Sequence, residues 1–374
     1  MDFSRVELTE RQAAFARDVD AFFAEWAGPA LDHEERTGDG FYEPLHRAMG
    51  ERGWILDTWP VSDGGAGLDA VEHRILTLAK ERTGLPFTTL DTTVRVAEAL
   101  RRHGDPRGLL RGVARGTIRF CLGYTEPEGG SDVAAARTRA TRDGDDWVVN
   151  GSKIFTTGAH NCQYAFTLTR TNPNVPKHRG LTMFLVPLDA PGVEIRPIHT
   201  FGGERTNVVY FDGVRVADDL RVGEVDRGWS VLHERLDVEH GLVAASDGLA
   251  HPSVRTPYAV MLARCVDAVH AWLRRHPEAS DDLRYRLGVV AAEAEAALSA
   301  PKHYGRVKAS QALIAGTAAL LEMVGSDPTG DAPVALVEYA HRFAQGTAIY
   351  GGTVEIFRNI IADELGLPRP TYPA

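Results

Sequence analysis

The chain has 374 residues, 44% of them hydrophobic and 25% charged, and a formal net charge of −10. That length can bury a large core, and the balance is that of a globular protein rather than a disordered or fibrous one. A mild acidic excess without a long basic run argues against nucleic acid or an anionic membrane surface as partner.

In chain order, the opening "MDFSRVELTERQ" has no apolar signal core. Residues 7 to 117 read as helices: "LTERQAAFARDVDAFFAEW", "YEPLHRAMGERGW", "DAVEHRILTLAKERTG" and "TTVRVAEALRRHG" repeat their apolar positions at three- and four-residue spacing. Glycine and proline clusters such as "PVSDGGAG" separate them. From about 118 the period becomes two. "RFCLGYTE", "ARTRATRDG", "DWVVNGSKIFTT", "YAFTLTRT", "LTMFLVPL", "VEIRPI" and "NVVYFDGVRV" read as strands, with "DGD" and "NG" as turns. After "GEVDRGW" the helical period returns and persists to about 365, and "ALIAGTAALLEMV" reads as bundle core. No apolar run is long enough to span a bilayer. Cys121, Cys162 and Cys265 are odd in number and lack CxxC spacing, which favours a reducing cytoplasm.

Helices, a β unit, then helices make an α+β chain of three domains, 1–117, 118–225 and 226–374. No GxGxxG follows a strand and no P-loop is present, so a dinucleotide here needs another kind of site. The fourteen histidines show no metal-ligand spacing, and no metal is expected.

Two stretches carry possible chemistry. In "GYTEPEGGSDV", residues 123 to 133, Thr125 and Ser131 flank the pair Gly129–Gly130, so short donors and free amides could surround a flat polar heterocycle or a phosphate. In "NGSKIFTTGAH", Phe155 and Thr157 share one face of a strand, a wall suited to a stacked ring. Near the C-terminus, "IYGGTVEIFRN" sets Gly351 and Gly352 before Thr353, an N-cap candidate whose free N–H groups suit an oxygen ligand.

"YTEPEGGSD" followed by "NGSKIFTT", then "PKHRGLTMFLVPLDAPGVEIRPI", "VVYFDGVRV", "VGEVDRGW" and "GGTVEIFRNIIADELGLPRP", resembles the acyl-CoA dehydrogenase family along nearly the whole chain. The resemblance implies an N-terminal helical domain, a central β-barrel-like domain and a C-terminal helical bundle. It implies FAD, with Leu122, Tyr124, Thr125, Gly130 and Ser131 on the isoalloxazine and pyrophosphate and Phe155, Thr156 and Thr157 lining the ring's other side. Thr353 and Glu355 match positions that meet the cofactor's adenine half or pyrophosphate.

The implied reaction removes an α-proton and a β-hydride from an acyl thioester, on CoA or a carrier protein, and leaves a trans-2-enoyl thioester. A backbone amide at the residue matching Gly351 donates to the thioester oxygen. Many members carry the base at that residue, reading "YEGT" where this chain reads "YGGT". Others carry it on the first helix after the β unit, which here supplies Glu239 three residues beyond Leu236 in "LDVEH". A carboxylate desolvated there gains the raised pKa a proton-abstracting base needs. The implied substrate pocket adds Ser131, Leu236, Asp237, His240 and Gly352.

Two departures from the family stand out. An R-x-x-F-G match is missing between 255 and 300, and "EMVGSDPTG" replaces the usual Q-x-x-G-G-x-G. Three readings are open: a dehydrogenase using Glu239, a flavin monooxygenase or oxidase on the same fold, or a non-catalytic subunit of a heteromeric dehydrogenase. The family implies an electron-transfer flavoprotein as acceptor and a homotetramer or dimer, with a heteromer of related chains as the other arrangement.

Overall fold

The first helix starts at a capping box. Thr9 accepts from the Gln12 amide at 3.3 Å and donates its own amide to Gln12 Oε1 at 3.1 Å, opening α1, Glu10–Thr37. The computed structural model describes residues 7–85, 87–239, 255–276, 280–325 and 330–367, with the side chains of 81, 234–239, 255, 256 and 302 also outside the description. α1 runs about ten residues beyond the segment expected from periodicity and carries Pro29 in its interior. Proline costs the helix a hydrogen bond there. The buried stripe of Val19, Phe22, Phe23 and Ala30 continues past it and keeps the helix whole.

Four helices come next: α2 (Glu43–Glu51), α3 (Ala70–Thr83), α4 (Leu90–His103) and α5 (Leu109–Ala114). Asp69 caps α3 in a second box with Glu72. The same Glu72 carboxylate takes Arg11 in a two-pronged pair at 2.8 and 2.9 Å, which ties α3 to α1.

Each of the seven β-rich runs forms a strand: β1 (Phe120–Gly123), β2 (Arg139–Asp143), β3 (Asp146–Lys153), β4 (Tyr164–Arg170), β5 (Leu181–Pro187), β6 (Val193–His199) and β7 (Arg205–Ala217). A two-residue β8, Arg221–Val222, is added. The sheet order is β6-β7-β3-β2-β4-β5-β8, and β1 pairs with β4 in parallel. β4 and β5 are covered on both faces, which is why they read as unbroken apolar runs. "DGD" does turn the β2–β3 hairpin, with Gly144 at φ +66°. "NG" does not turn the chain. Asn150 and Gly151 lie inside β3, where the register with β7 slips between Val149 and Gly151. Gly151 has φ +142°, and a Cβ there would sit 2.7 Å from Thr138 Cα, so the glycine serves a bulge against the neighbouring strand.

The chain then enters α6, Gly228–Glu239. Its first turn is seated on β5: a Cβ on Gly228 would lie 2.8 Å from Thr182 Cα, and the Asp226 amide donates to the Thr182 hydroxyl at 2.8 Å.

By its contacts the chain divides into two compact units, Met1–Thr200 with Glu204–Arg235, and Phe201–Gly203 with Leu236–Ala374. In the second, α7 (Arg255–Arg275), α8 (Asp281–Ser299), α10 (Val334–Thr347) and α11 (Val354–Glu364) surround α9 (Lys302–Val324). With neighbours on several sides, α9 buries a broad stripe, from Ala312 and Met323 on one flank through Ala309 and Leu313 to Ser310 and Thr317 on the other. The absence of a membrane-length apolar run, expected from the sequence, is corrected by this helix. His303–Val324 is long and apolar enough to cross a membrane by composition, although half of its apolar window is buried in this bundle. A central bundle helix satisfies the same measure for a different reason: its partners are other helices.

Candidate functional site

The two β-unit stretches meet. The Ile154 amide donates to the Thr125 carbonyl at 2.9 Å, and Lys153 Nζ donates to the Tyr124 carbonyl at 3.3 Å and to Glu126 Oε1 at 2.8 Å. Lys153 is fully buried, so its ammonium would be untenable without that carboxylate. Burial pushes its pKa down to about 8, against the pull of Glu126. Glu126 is desolvated too, but the lysine charge and its hydrogen bonds outweigh burial and hold the carboxyl below its ordinary value. Its oxygens also accept from the Arg137 amide at 2.6 Å and the Thr138 amide at 2.8 Å. Reciprocal main-chain bonds between Glu126 and Gly129, at 3.1 and 3.0 Å, close the turn before Gly130. Gly130 and Ser131 are exposed beyond it, and a Cβ built on Gly130 meets nothing within 4 Å. Leu122, Tyr124 and Thr125 are half-buried along the approach.

Phe155 is not on a strand. β3 ends at Lys153, and Phe155 has φ +57°, a left-handed conformation that is uncommon for a non-glycine residue. The ring is nevertheless presented outward, 61% exposed, with Thr157 exposed beside it and Thr156 buried between them. The alternation is kept by hydrogen bonds to β7 rather than by strand geometry. The Thr156 amide donates to the Asn207 carbonyl at 2.9 Å, and Asn207 Nδ2 returns a bond to the Thr156 carbonyl at 3.0 Å. Thr157 reaches the Thr206 hydroxyl at 3.3 Å.

The sequence reading missed Glu126, Lys153 and Asn207 as builders of this site. One signal was present: "SKIF" places a lysine one residue before an apolar wall, and "TEPEGG" offers a carboxylate within the companion loop.

These residues fit a flat, polar-edged ring with an anionic tail. Phe155 offers an exposed face, and the exposed Gly130–Ser131 backbone permits close approach. The Thr156 hydroxyl oxygen is buried without a hydrogen-bond partner among the described residues, an orphan that a ligand can satisfy.

In the C-terminal unit, Gly351 and Gly352 have φ +64° and +90°. Thr353 caps α11, its hydroxyl accepting from the Ile356 amide at 3.2 Å, and Glu355 is exposed with Arg358 at 4.0 Å. The backbone of α6 includes Leu236, Asp237 and Glu239, but their side chains, and the whole of His240, lie outside the described residues.

Residues 9–108 match the family model described as acyl-CoA dehydrogenase, N-terminal domain, and residues 121–214 match the middle domain. Acyl-CoA dehydrogenase FadE26 of Mycobacterium tuberculosis is 31% identical over 98% of this chain and 99% of its own. Among solved structures, the Tcur3481-Tcur3483 steroid ACAD aligns with a TM-score of 0.81 at 28% identity, over 99% of this chain and 100% of that one. The ChsE4-ChsE5 complex from Mycobacterium tuberculosis aligns at 0.78 and 30% identity, over 98% and 100%. With helices, sheet and helices in that order, and with relatives matched end to end, this chain belongs to the acyl-CoA dehydrogenase family.

Proposed function

We propose that the protein is an FAD-dependent dehydrogenase that converts an acyl thioester to its trans-2-enoyl thioester. The observation that carries this reading is the joining of the Tyr124–Ser131 loop to the Phe155–Thr157 wall through Lys153 and Ile154. Leu122, Tyr124, Thr125, Gly130 and Ser131, with Phe155, Thr156 and Thr157, would hold the ring and pyrophosphate of FAD. Thr353 and Glu355 would meet its distal half. The chemistry such a cofactor supplies when bound is acceptance of the β-hydride.

The chain's own residues do the rest. Glu239 takes the α-proton, and desolvation in an acyl pocket lined by Leu236, Asp237 and His240 raises its affinity for that proton. The Gly351 N–H, beside Gly352, donates to the thioester oxygen where negative charge develops. Ser131 orients the thioester arm. The setting is a cytoplasm with an electron-transfer flavoprotein as acceptor, and the assembly a homotetramer or dimer.

Anaerobic mixing of the flavin-loaded protein with a panel of acyl-CoA esters tests this. A matching ester bleaches the yellow flavin. Glu239→Gln keeps FAD and slows bleaching at least ~100-fold, the low end of what a general base contributes. Bleaching at the unchanged rate in Glu239→Gln removes Glu239 from the role.

A second reading has its own support. The R-x-x-F-G match is missing between 255 and 300, and two structural neighbours carry two-chain names. On that reading the chain works as one subunit of a heteromer.

A further inference from the structure

One guanidinium holds the turn that carries Gly351. Arg306, on α9, is 2% exposed, and its Nη2 donates to three main-chain carbonyls: Thr347 at 2.7 Å, Tyr350 at 2.8 Å and Gly352 at 3.3 Å. One helical turn further along α9, the Ser310 hydroxyl meets the Thr347 hydroxyl at 2.8 Å. The guanidinium lies over the rings of Tyr258 and Phe357, 5.0 and 5.2 Å from their centroids. All of these residues belong to the C-terminal unit.

Peptide planarity fixes where the adjoining N–H groups point. In a trans peptide the C=O and the next residue's N–H point in opposite directions, and no cis bond occurs among the described residues. With the Tyr350 carbonyl turned onto Arg306, the Gly351 N–H faces away from the guanidinium. The Gly352 carbonyl is turned the same way, so the Thr353 N–H also faces outward. Positive φ at both glycines lets two carbonyls of so short a turn converge on one group. Gly352 has no room for more, since a Cβ would lie 2.9 Å from the Phe357 ring. Gly351 is exposed, and its N–H has no acceptor among the described residues.

The geometry points to Arg306 as the positioning residue that aims the Gly351 N–H at the carbonyl oxygen of a bound acyl thioester. This rests on the proposed dehydrogenase reading and extends it to a residue that never touches substrate. Arginine suits the task because a charged guanidinium N–H binds carbonyls more strongly than a neutral donor does. Its charge has a second effect. Drawing electron density through the Tyr350 carbonyl makes the N–H of the same peptide a stronger donor.

The test uses the flavin-loaded full chain and a trans-2-enoyl-CoA labelled with carbon-13 at the thioester carbonyl, read by isotope-edited infrared difference spectroscopy. In the unchanged protein the labelled band moves to lower wavenumber on binding. In Arg306→Met that downshift is lost while the enoyl-CoA still binds. With a saturated acyl-CoA as substrate, kcat falls about 100-fold and KM changes little, the pattern of a lost transition-state donor. If Arg306→Met does not fold, Arg306→Lys is read instead, and its smaller, non-planar ammonium gives a reduced downshift. A folded variant with bound ligand and an unchanged band overturns the inference and leaves the dehydrogenase reading standing. An unchanged protein that is bleached by acyl-CoA yet shows no downshift does the same. A protein that neither bleaches nor binds thioester overturns both.

Discussion

His46 on α2 is 3% exposed, its ring 5.3 Å from that of Phe41, and its Nε2 has no hydrogen-bond partner among the described residues. Burial, aided by the nearby Arg119 charge, lowers its pKa to about 3. The unfolded value is near 6.5, so between about pH 6.5 and 3 the unfolded chain takes up a proton that the native one refuses. Stability from this group is complete above pH 6.5 and drains as pH falls through that window, by about 1.4 kcal/mol per unit. His46→Leu therefore flattens the fall in urea midpoint between pH 7 and pH 5 relative to the unchanged protein. Parallel falls in the two would assign the acid sensitivity elsewhere. Nothing in the sequence marked His46 among fourteen histidines, because its property is made by neighbours from other segments. The shared outward face of Phe155 and Thr157 and the positive φ of Gly351 were legible, because such local geometry follows from residue type within a few positions.

At the level of elements, the Lys153–Glu126 pair joins the end of β3 to the loop after β1, 27 positions apart. Removing one partner of a buried pair leaves the other charge uncompensated, which costs about 3–5 kcal/mol. Lys153→Met is expected to lose that much in urea denaturation. Glu126→Gln placed on top of Lys153→Met recovers at least ~1 kcal/mol, although one of the two amides that Glu126 accepts from is left short of an acceptor. Strictly additive losses would show that the pair is not coupled. All seven strands were readable from period-two patterning, since burial on a sheet repeats every second residue. The "NG" within β3 misled because the same φ freedom that makes a hairpin turn also makes a bulge, and only the neighbouring strand distinguishes them. α1 outran its expected end for a related reason: the penalty of Pro29 is local, and the buried stripe that offsets it is tertiary.

For the molecule as a whole, the order of helices, sheet and helices and the family's long run of motifs were both visible in the chain. Whether one chain suffices for the cofactor is a matter for purification. As a self-sufficient dehydrogenase, the chain expressed alone carries FAD close to one per protomer by absorbance after denaturation. Recovery of flavin only on co-expression with a related chain would favour the heteromer. The sequence alone determined the order of helices and strands and seven of the strands, the two joined stretches as candidates and the turn at Gly351, because periodicity and glycine placement act within a few residues. Tertiary structure decided that Lys153 is buried against Glu126, that Phe155 is left-handed off the strand, and that Arg306 holds carbonyls as far as 46 positions away. Those outcomes depend on which polar groups packing removes from water, and a buried donor must take whatever acceptor the fold brings within reach.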